Sequence, residues 1–164
     1  MYPTISFVKS AVYDVLDYKI SHYNEELESK DYEACRFKLN GDNIVSRAAK
    51  ITPKKAGQFV TFWKRNSESI IEPLNQSDDI DFFVINITYR KQRGQFVFPG
   101  SVLMNKGIIS TESKEGKRAF RVYPVWDTVL NKQAERSQKW QLNYFYEITA
   151  STDLEKVRLL YRNQ

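Results

Sequence analysis

The sequence predicts a mixed α/β protein of the α+β kind, with a central, mostly antiparallel sheet flanked by helices. Two observations carry this prediction. Aromatic residues make up 14% of the 164 residues, with ten Phe and ten Tyr, a composition suited to sheet packing. The order of patterned segments is a helix, then a run of strands with tight turns, then more helix, as in helices laid on a sheet meander. The length fits one domain over residues 1–164 with a real core, and six Gly and five Pro leave little room for linkers.

Each element has a local reason. Ile5, Val8, Val12, Val15, Leu16, Ile20, Tyr23 and Leu27 recur at spacings of one, three and four. That spacing predicts one amphipathic helix over residues 4–30, capped by Thr4 after Pro3. Cys35 lies in a strand over 34–39, where Phe37 and Leu39 alternate with Arg36 and Lys38, and it reads as a small buried hydrophobe. Asn40-Gly41-Asp42-Asn43 is a hairpin turn, because Asn-Gly accepts positive φ at both central positions. Strands follow over 44–51 and 58–63, then a polar loop over 66–79. Residues 81–89 are the most hydrophobic run and predict a central strand, and a basic turn over 90–94 leads to a strand over 95–98. Pro99 ends that strand. A short helix over 101–106 stops at Gly107, a strand spans 119–123, and helices span 131–146 and 153–161.

Charge is the most informative pattern in the chain. The formal net charge is +5, and no Asp or Glu occurs between Asp42 and Glu68. That interval holds Arg47, Lys50, Lys54, Lys55, Lys64 and Arg65 around a Pro53-Lys54-Lys55-Ala56-Gly57 turn. The acids gather earlier, at Asp14, Asp17, Glu25, Glu26, Glu28, Asp31 and Glu33, which leaves the central strands basic. A second basic run, Lys117, Arg118 and Arg121, leads into Phe120, Tyr123 and Trp126. Lys and Arg placed on a sheet neutralise phosphates, while indoles such as Trp126, Trp140 and Trp63 offer faces for bases. Gln138, Lys139 and Gln141 on the second long helix are further candidates for base edges or phosphates. Ordinary solvated strand and helix faces are the competing reading.

Catalytic devices are mostly excluded. One Cys and one His cannot build a zinc site of the usual kind, and His22 falls on the predicted first helix, away from any nucleophile. No glycine-rich phosphate loop is present. Asp78, Asp79 and Asp81 stand at the entry to the central strand, where carboxylates chelate Mg²⁺ or order the strand edge. A metal-dependent nuclease wants a strand-borne acid followed by acid-x-Lys on the next strand. At the natural position the chain reads Ala48-Ala49-Lys50, without the acid, so such a site would be degenerate or assembled from Asp79, Asp81, Glu115 and Lys117. No cofactor is expected, and Mg²⁺ enters only with the nuclease alternative. The chain has no run of eighteen apolar residues and no apolar leader, which reads as a soluble, cytoplasmic protein without membrane insertion.

Several segments resemble the MepB family. They are Arg47-Ala48-Ala49-Lys50-Ile51-Thr52-Pro53 with Lys55-Ala56-Gly57-Gln58-Phe59-Val60, Asp78-Asp79-Ile80-Asp81-Phe82-Phe83-Val84-Ile85, and Gln95-Phe96-Val97-Phe98-Pro99. Gly116-Lys117-Arg118-Ala119-Phe120-Arg121-Val122-Tyr123-Pro124 with Trp126-Asp127, and Gln138-Lys139-Trp140-Gln141-Leu142, complete the set over about residues 33–148. Gly100 and Val125 stand where the family tends to Lys and Pro. The resemblance implies a bacterial cytoplasmic protein, encoded in some species beside a drug-efflux pump and its repressor. It also implies a fold like restriction-endonuclease cores and an affinity for nucleic acid, but no established reaction. The expectation is therefore a nucleic-acid-binding module, with DNA as the partner. Its phosphate contacts would be Arg47, Lys50, Lys54, Lys55, Lys64 and Arg65 on one wall, and Lys117, Arg118 and Arg121 on another. The alternatives are the degenerate Mg²⁺-dependent nuclease and a small-molecule or protein-binding accessory factor linked to drug efflux.

Overall fold

The computed structural model describes residues 1–162. The chain opens with α1 (Pro3–Val8), which widens into a π-helical segment over Lys9–Tyr13. Ile5, Val8, Val12 and Tyr13 are buried, so one face of this segment lies on the core. The helix expected over 4–30 goes no further. Asp17 takes φ +59° and turns the chain, and Ile20–Glu25 forms strand β1.

The pairing explains the difference. β1 pairs with β2 (Cys35–Leu39) through Ile20–Leu39 and Ser21–Lys38, then shifts register before Asn24–Arg36. His22, at φ +53°, sits in that bulge. The extra residue stretches the strand period from two to three, so Ile20 and Tyr23 reach the same core. A bulged strand thus carries a helix-like spacing. His22 is an exposed strand residue with Nδ1 3.1 Å from the Ser21 hydroxyl, and Leu27 is 86% exposed rather than on an apolar helix face.

Asn40 (φ +51°) and Gly41 (φ +93°) make the two-residue hairpin into β3 (Asp42–Ala48). The strand expected over 44–51 breaks at Ala49, and β4 (Lys50–Ile51) pairs instead with β5 (Gln58–Thr61). β6 (Trp63–Arg65) and β7 (Ile71–Pro73) form a separate ribbon that takes up part of the expected loop. β8 (Phe82–Tyr89) and β9 (Gln92–Pro99) form the long central hairpin, followed by α2 (Gly100–Asn105) and β10 (Ala119–Val122). Next comes α3 (Lys132–Gln141), shorter than the helix expected over 131–146. The chain after it gives β11 (Phe145–Glu147), whose Phe145 packs on Phe96 with ring centroids 4.6 Å apart. α4 (Leu154–Leu160) is the last helix among the described residues.

The main sheet runs β1-β2-β3-β8-β9-β11, antiparallel throughout except for the parallel β3–β8 pair. A second sheet, β10-β5-β4, is also antiparallel. Phe82 and Val84 face the N-terminal helical segment and α4, while Phe83 and Ile85 face β5, β10 and α2. Both faces of β8 are therefore covered, which is why its Phe82–Ile85 stretch reads as a continuous hydrophobic run. The protein is mixed α+β around a mostly antiparallel sheet, with the second sheet and α3 stacked on one face. Cys35 is fully buried and free, and burial pushes its thiol up to about 11. Among the described residues no helix is long and apolar enough to cross a membrane.

Candidate functional site

Where the β4–β5 hairpin, β10 and α3 meet, they enclose a cleft of about 590 Å³. The hairpin supplies Lys54 and Lys55 from its turn, where Lys54 has φ +69° and Gly57 φ +76°. Gly57 is also sterically required, because a Cβ there would lie 2.6 Å from the Tyr123 ring. The turn thus presses onto the end of β10. Burial raises the Asp127 pKa, and the nearby Gly57 amide opposes that shift.

α3 is tied to β10 by one side chain. Gln141 accepts from Tyr123 N–H at 2.9 Å and donates to the Arg121 carbonyl at 2.9 Å. Asn131 caps the start of α3 by accepting from Ala134 N–H, and the positive end of the helix opens toward the cleft. The third wall is the segment before β10. Lys117 N–H donates to the Ile108 carbonyl at 2.8 Å, and a Cβ on Gly116 would collide with that same carbonyl.

Five cations line the cleft, Lys54, Lys55, Lys106, Lys117 and Arg121, and its lining contains no Asp or Glu. The ammonium groups of Lys54, Lys55 and Lys117 have no hydrogen-bond or ion-pair partner among the described residues. Arg121 donates to the Thr52 hydroxyl and the Ala56 carbonyl, and Lys106 lies over the Trp140 ring, 5.1 Å from its centroid. Some cations elsewhere are paired with carboxylates, as in Lys9–Asp14, Arg36–Glu26 and Arg158–Glu155, whereas among the described residues none of the five in the cleft is. Uncompensated charge in a concave site focuses the field on an anion.

The expected phosphate contacts divide accordingly. Lys54, Lys55, Lys117 and Arg121 converge on the cleft together with Trp140. Arg47 does not: it is 0% exposed, and its Nη2 donates to Glu26 at 2.8 Å. β3 is buried on both faces from Ile44 to Arg47, and there burial pulls the Arg47 pKa down while Glu26 opposes that shift. Lys50 lies over Tyr32 at 4.8 Å and 3.9 Å from Asp31. Lys64 is bound by Asp78, Arg65 by Glu28 and Arg118 by Glu115. Trp126 packs on Phe145, and its buried Nε1 has no partner, so its ring belongs to the core wall. Trp63 carries Arg65 on its face. Gln138 is committed to the Pro124 and Asp127 carbonyls. The sequence reading missed Lys106, Gln133 and Ser137, which the fold alone brings to the cleft.

The acids at the start of β8 are engaged within the fold. Asp78 closes a capping box with Asn75 and binds Lys64, while Asp79 and Asp81 both accept from Asn43. Glu115 is engaged by Arg118. Among the described residues no group of three His, Cys, Asp or Glu side chains is arranged to hold a metal ion. These carboxylates are not grouped as a Mg²⁺ site.

The fold and the cleft define a mixed α+β protein with a carboxylate-free cationic site. The MepB-like family model matches residues 26–147, and the chain belongs to that family. A solved structure described as the crystal structure of MepB aligns with a TM-score of 0.79 and 36% identity, over 92% of this chain and 100% of that one. The structure of a bacterial homing endonuclease, I-Ssp6803I, aligns with a TM-score of 0.46 and 13% identity, over 95% of this chain and 90% of that one. No curated protein matches the chain.

Proposed function

We propose that the protein binds nucleic acid in the cytoplasm through phosphate contacts made by the cleft between the β4–β5 hairpin, β10 and α3. The observation that carries this reading is the convergence of five cations on one concave surface without a lining carboxylate. Such a site attracts a polyanion and releases counterions when it binds one. A small monovalent anion would leave most of that charge uncompensated. Nucleic acid is the partner class implied by the family resemblance, with DNA the form expected, and phosphate contact by itself carries no base sequence.

The test is binding of a labelled DNA probe at rising salt. If all five cations meet phosphates, log K falls linearly against log salt with a slope of about −4. An affinity that stays constant from low to moderate salt overturns the reading.

A further inference from the structure

We infer that the cleft takes one unpaired strand, with bases along α3 and phosphates on the hairpin and Lys117, and therefore prefers single-stranded over duplex nucleic acid. This inference rests on the phosphate-contact reading above. Shape is the first argument. A cleft of about 590 Å³ is in the range that encloses a discrete ligand, whereas a duplex presents its paired bases inside a thick cylinder. Only a strand with splayed bases can enter.

The chemistry of the walls is the second argument. Gln133, Ser137 and Trp140 follow one another along α3 at spacings of four and three, so they form a single row on the cleft side. The side chains of Gln133 and Ser137 have no hydrogen-bond partner among the described residues. Gln138 and Gln141 on the same helix are consumed by backbone groups. An amide and a hydroxyl left free beside an indole match the edge and face of an unpaired base. The opposing charge comes from Lys54, Lys55 and Lys117, which are equally free.

Lys106 links the two walls. Its ammonium lies over the Trp140 ring, 5.1 Å from the centroid, and both residues line the cleft, while Phe98 packs on the same indole at 5.4 Å. An exposed cation–π contact is weaker than base stacking. An entering base displaces Lys106 from the ring, and the released ammonium is then free to meet the adjacent phosphate.

The experiment compares a single-stranded deoxythymidine oligomer of about 12 nucleotides with a blunt hairpin duplex of similar charge, both labelled, at matched salt. The oligomer is expected to bind at least about tenfold more tightly, as one stacked base alone is worth roughly 5- to 150-fold. It should also change the Trp emission of the full chain, and Trp140→Phe should abolish that change although Trp63 and Trp126 remain. The double variant Gln133→Ala, Ser137→Ala removes no hydrogen bond of the fold, and should weaken the oligomer several-fold without affecting the duplex. Equal or tighter salt-dependent binding of the duplex overturns the single-strand inference and leaves the phosphate reading standing. An emission change that survives Trp140→Phe overturns the stacking arrangement. Absence of salt-dependent binding to both probes removes the two together.

Discussion

Arg47 Nη2 donates to Glu26 Oε2 at 2.8 Å beneath the surface, while Arg36 Nε donates to the other oxygen of the same carboxylate at 2.6 Å. Glu26 therefore bridges a fully buried guanidinium and a half-buried one. Arg47 Nη1 also donates to the Ser46 carbonyl, but its Nε has no partner. Desolvation makes such a pair a weak source of net stability, yet removing one member strands the other. Glu26→Gln should lower stability by about 3 kcal/mol in urea unfolding. It should leave the salt slope of nucleic-acid binding unchanged, because Arg47 touches no ligand. A loss of slope without a loss of stability would return Arg47 to the binding surface.

The free and the neutralised lysines give a sharper contrast. Lys54 and Lys55 lie unpaired in the cleft, whereas Lys64 and Arg65 are held by Asp78 and Glu28. Lys54→Gln with Lys55→Gln should reduce the salt slope by about 1.5 and weaken binding evenly across sequences. Lys64→Gln with Arg65→Gln should leave binding nearly unchanged, at a small stability cost. Equal effects from the two doubles in a salt-titrated assay would show that net charge matters and the cleft does not.

The fold was legible where a signal is local and obscure where tertiary pairing decides. Asn40-Gly41 and the Pro53–Gly57 turn were readable, because positive φ is written in the residue types themselves. β8 was readable because burial on both faces gives it the continuous apolar stretch Phe82–Ile85. The N-terminal helix was over-extended for a specific reason: the bulge at His22 gives a strand the apolar spacing of a helix. Arg47 could not be told from Lys54 in a basic run, since its partner Glu26 lies 21 residues away. The cleft was half legible. Its hairpin and its β10 cations stand in two dense basic clusters, but Lys106, Gln133 and Ser137 are isolated polar residues that only α2 and α3 packing brings there.

Gly57 couples stability to the site. Its φ of +76° disfavours a side chain, and a Cβ would meet Tyr123 at 2.6 Å and the Val122 carbonyl at 2.8 Å. Gly57→Ala should cost about 2 kcal/mol, from left-handed strain and from the forced separation of the hairpin and β10. Because Lys54 and Lys55 ride on that turn, binding should weaken even at temperatures where the variant remains folded. Thermal unfolding and probe binding on the same sample check both effects. An alanine variant with native stability would contradict the close packing described.

Alkaline pH should unfold the protein through a cluster of buried phenols. Tyr13 and Tyr161 share a hydrogen bond of 2.7 Å, Gln95 donates to Tyr13, and Tyr146 and Tyr161 both donate to Gln95. Burial pushes Tyr13 up to about 12, and raises Tyr146 and Tyr161 well above the ordinary value. Below about pH 10 all three are neutral in folded and unfolded chains, so their stabilising contribution is fully present. Between about pH 10 and 12 the unfolded chain releases the Tyr13 proton while the folded one keeps it, so stability falls as pH rises. That window is worth about 3 kcal/mol for Tyr13. Tyr146 and Tyr161 add losses in the same direction, and Cys35 begins its own at about pH 9. Urea midpoints should therefore begin to fall at about pH 9 and drop steeply between about pH 10 and pH 12, and Tyr13→Phe should make the decline shallower while lowering stability at neutral pH through the lost hydroxyl contacts. A midpoint that stays flat across this range would mean that the phenols reach solvent before the fold opens.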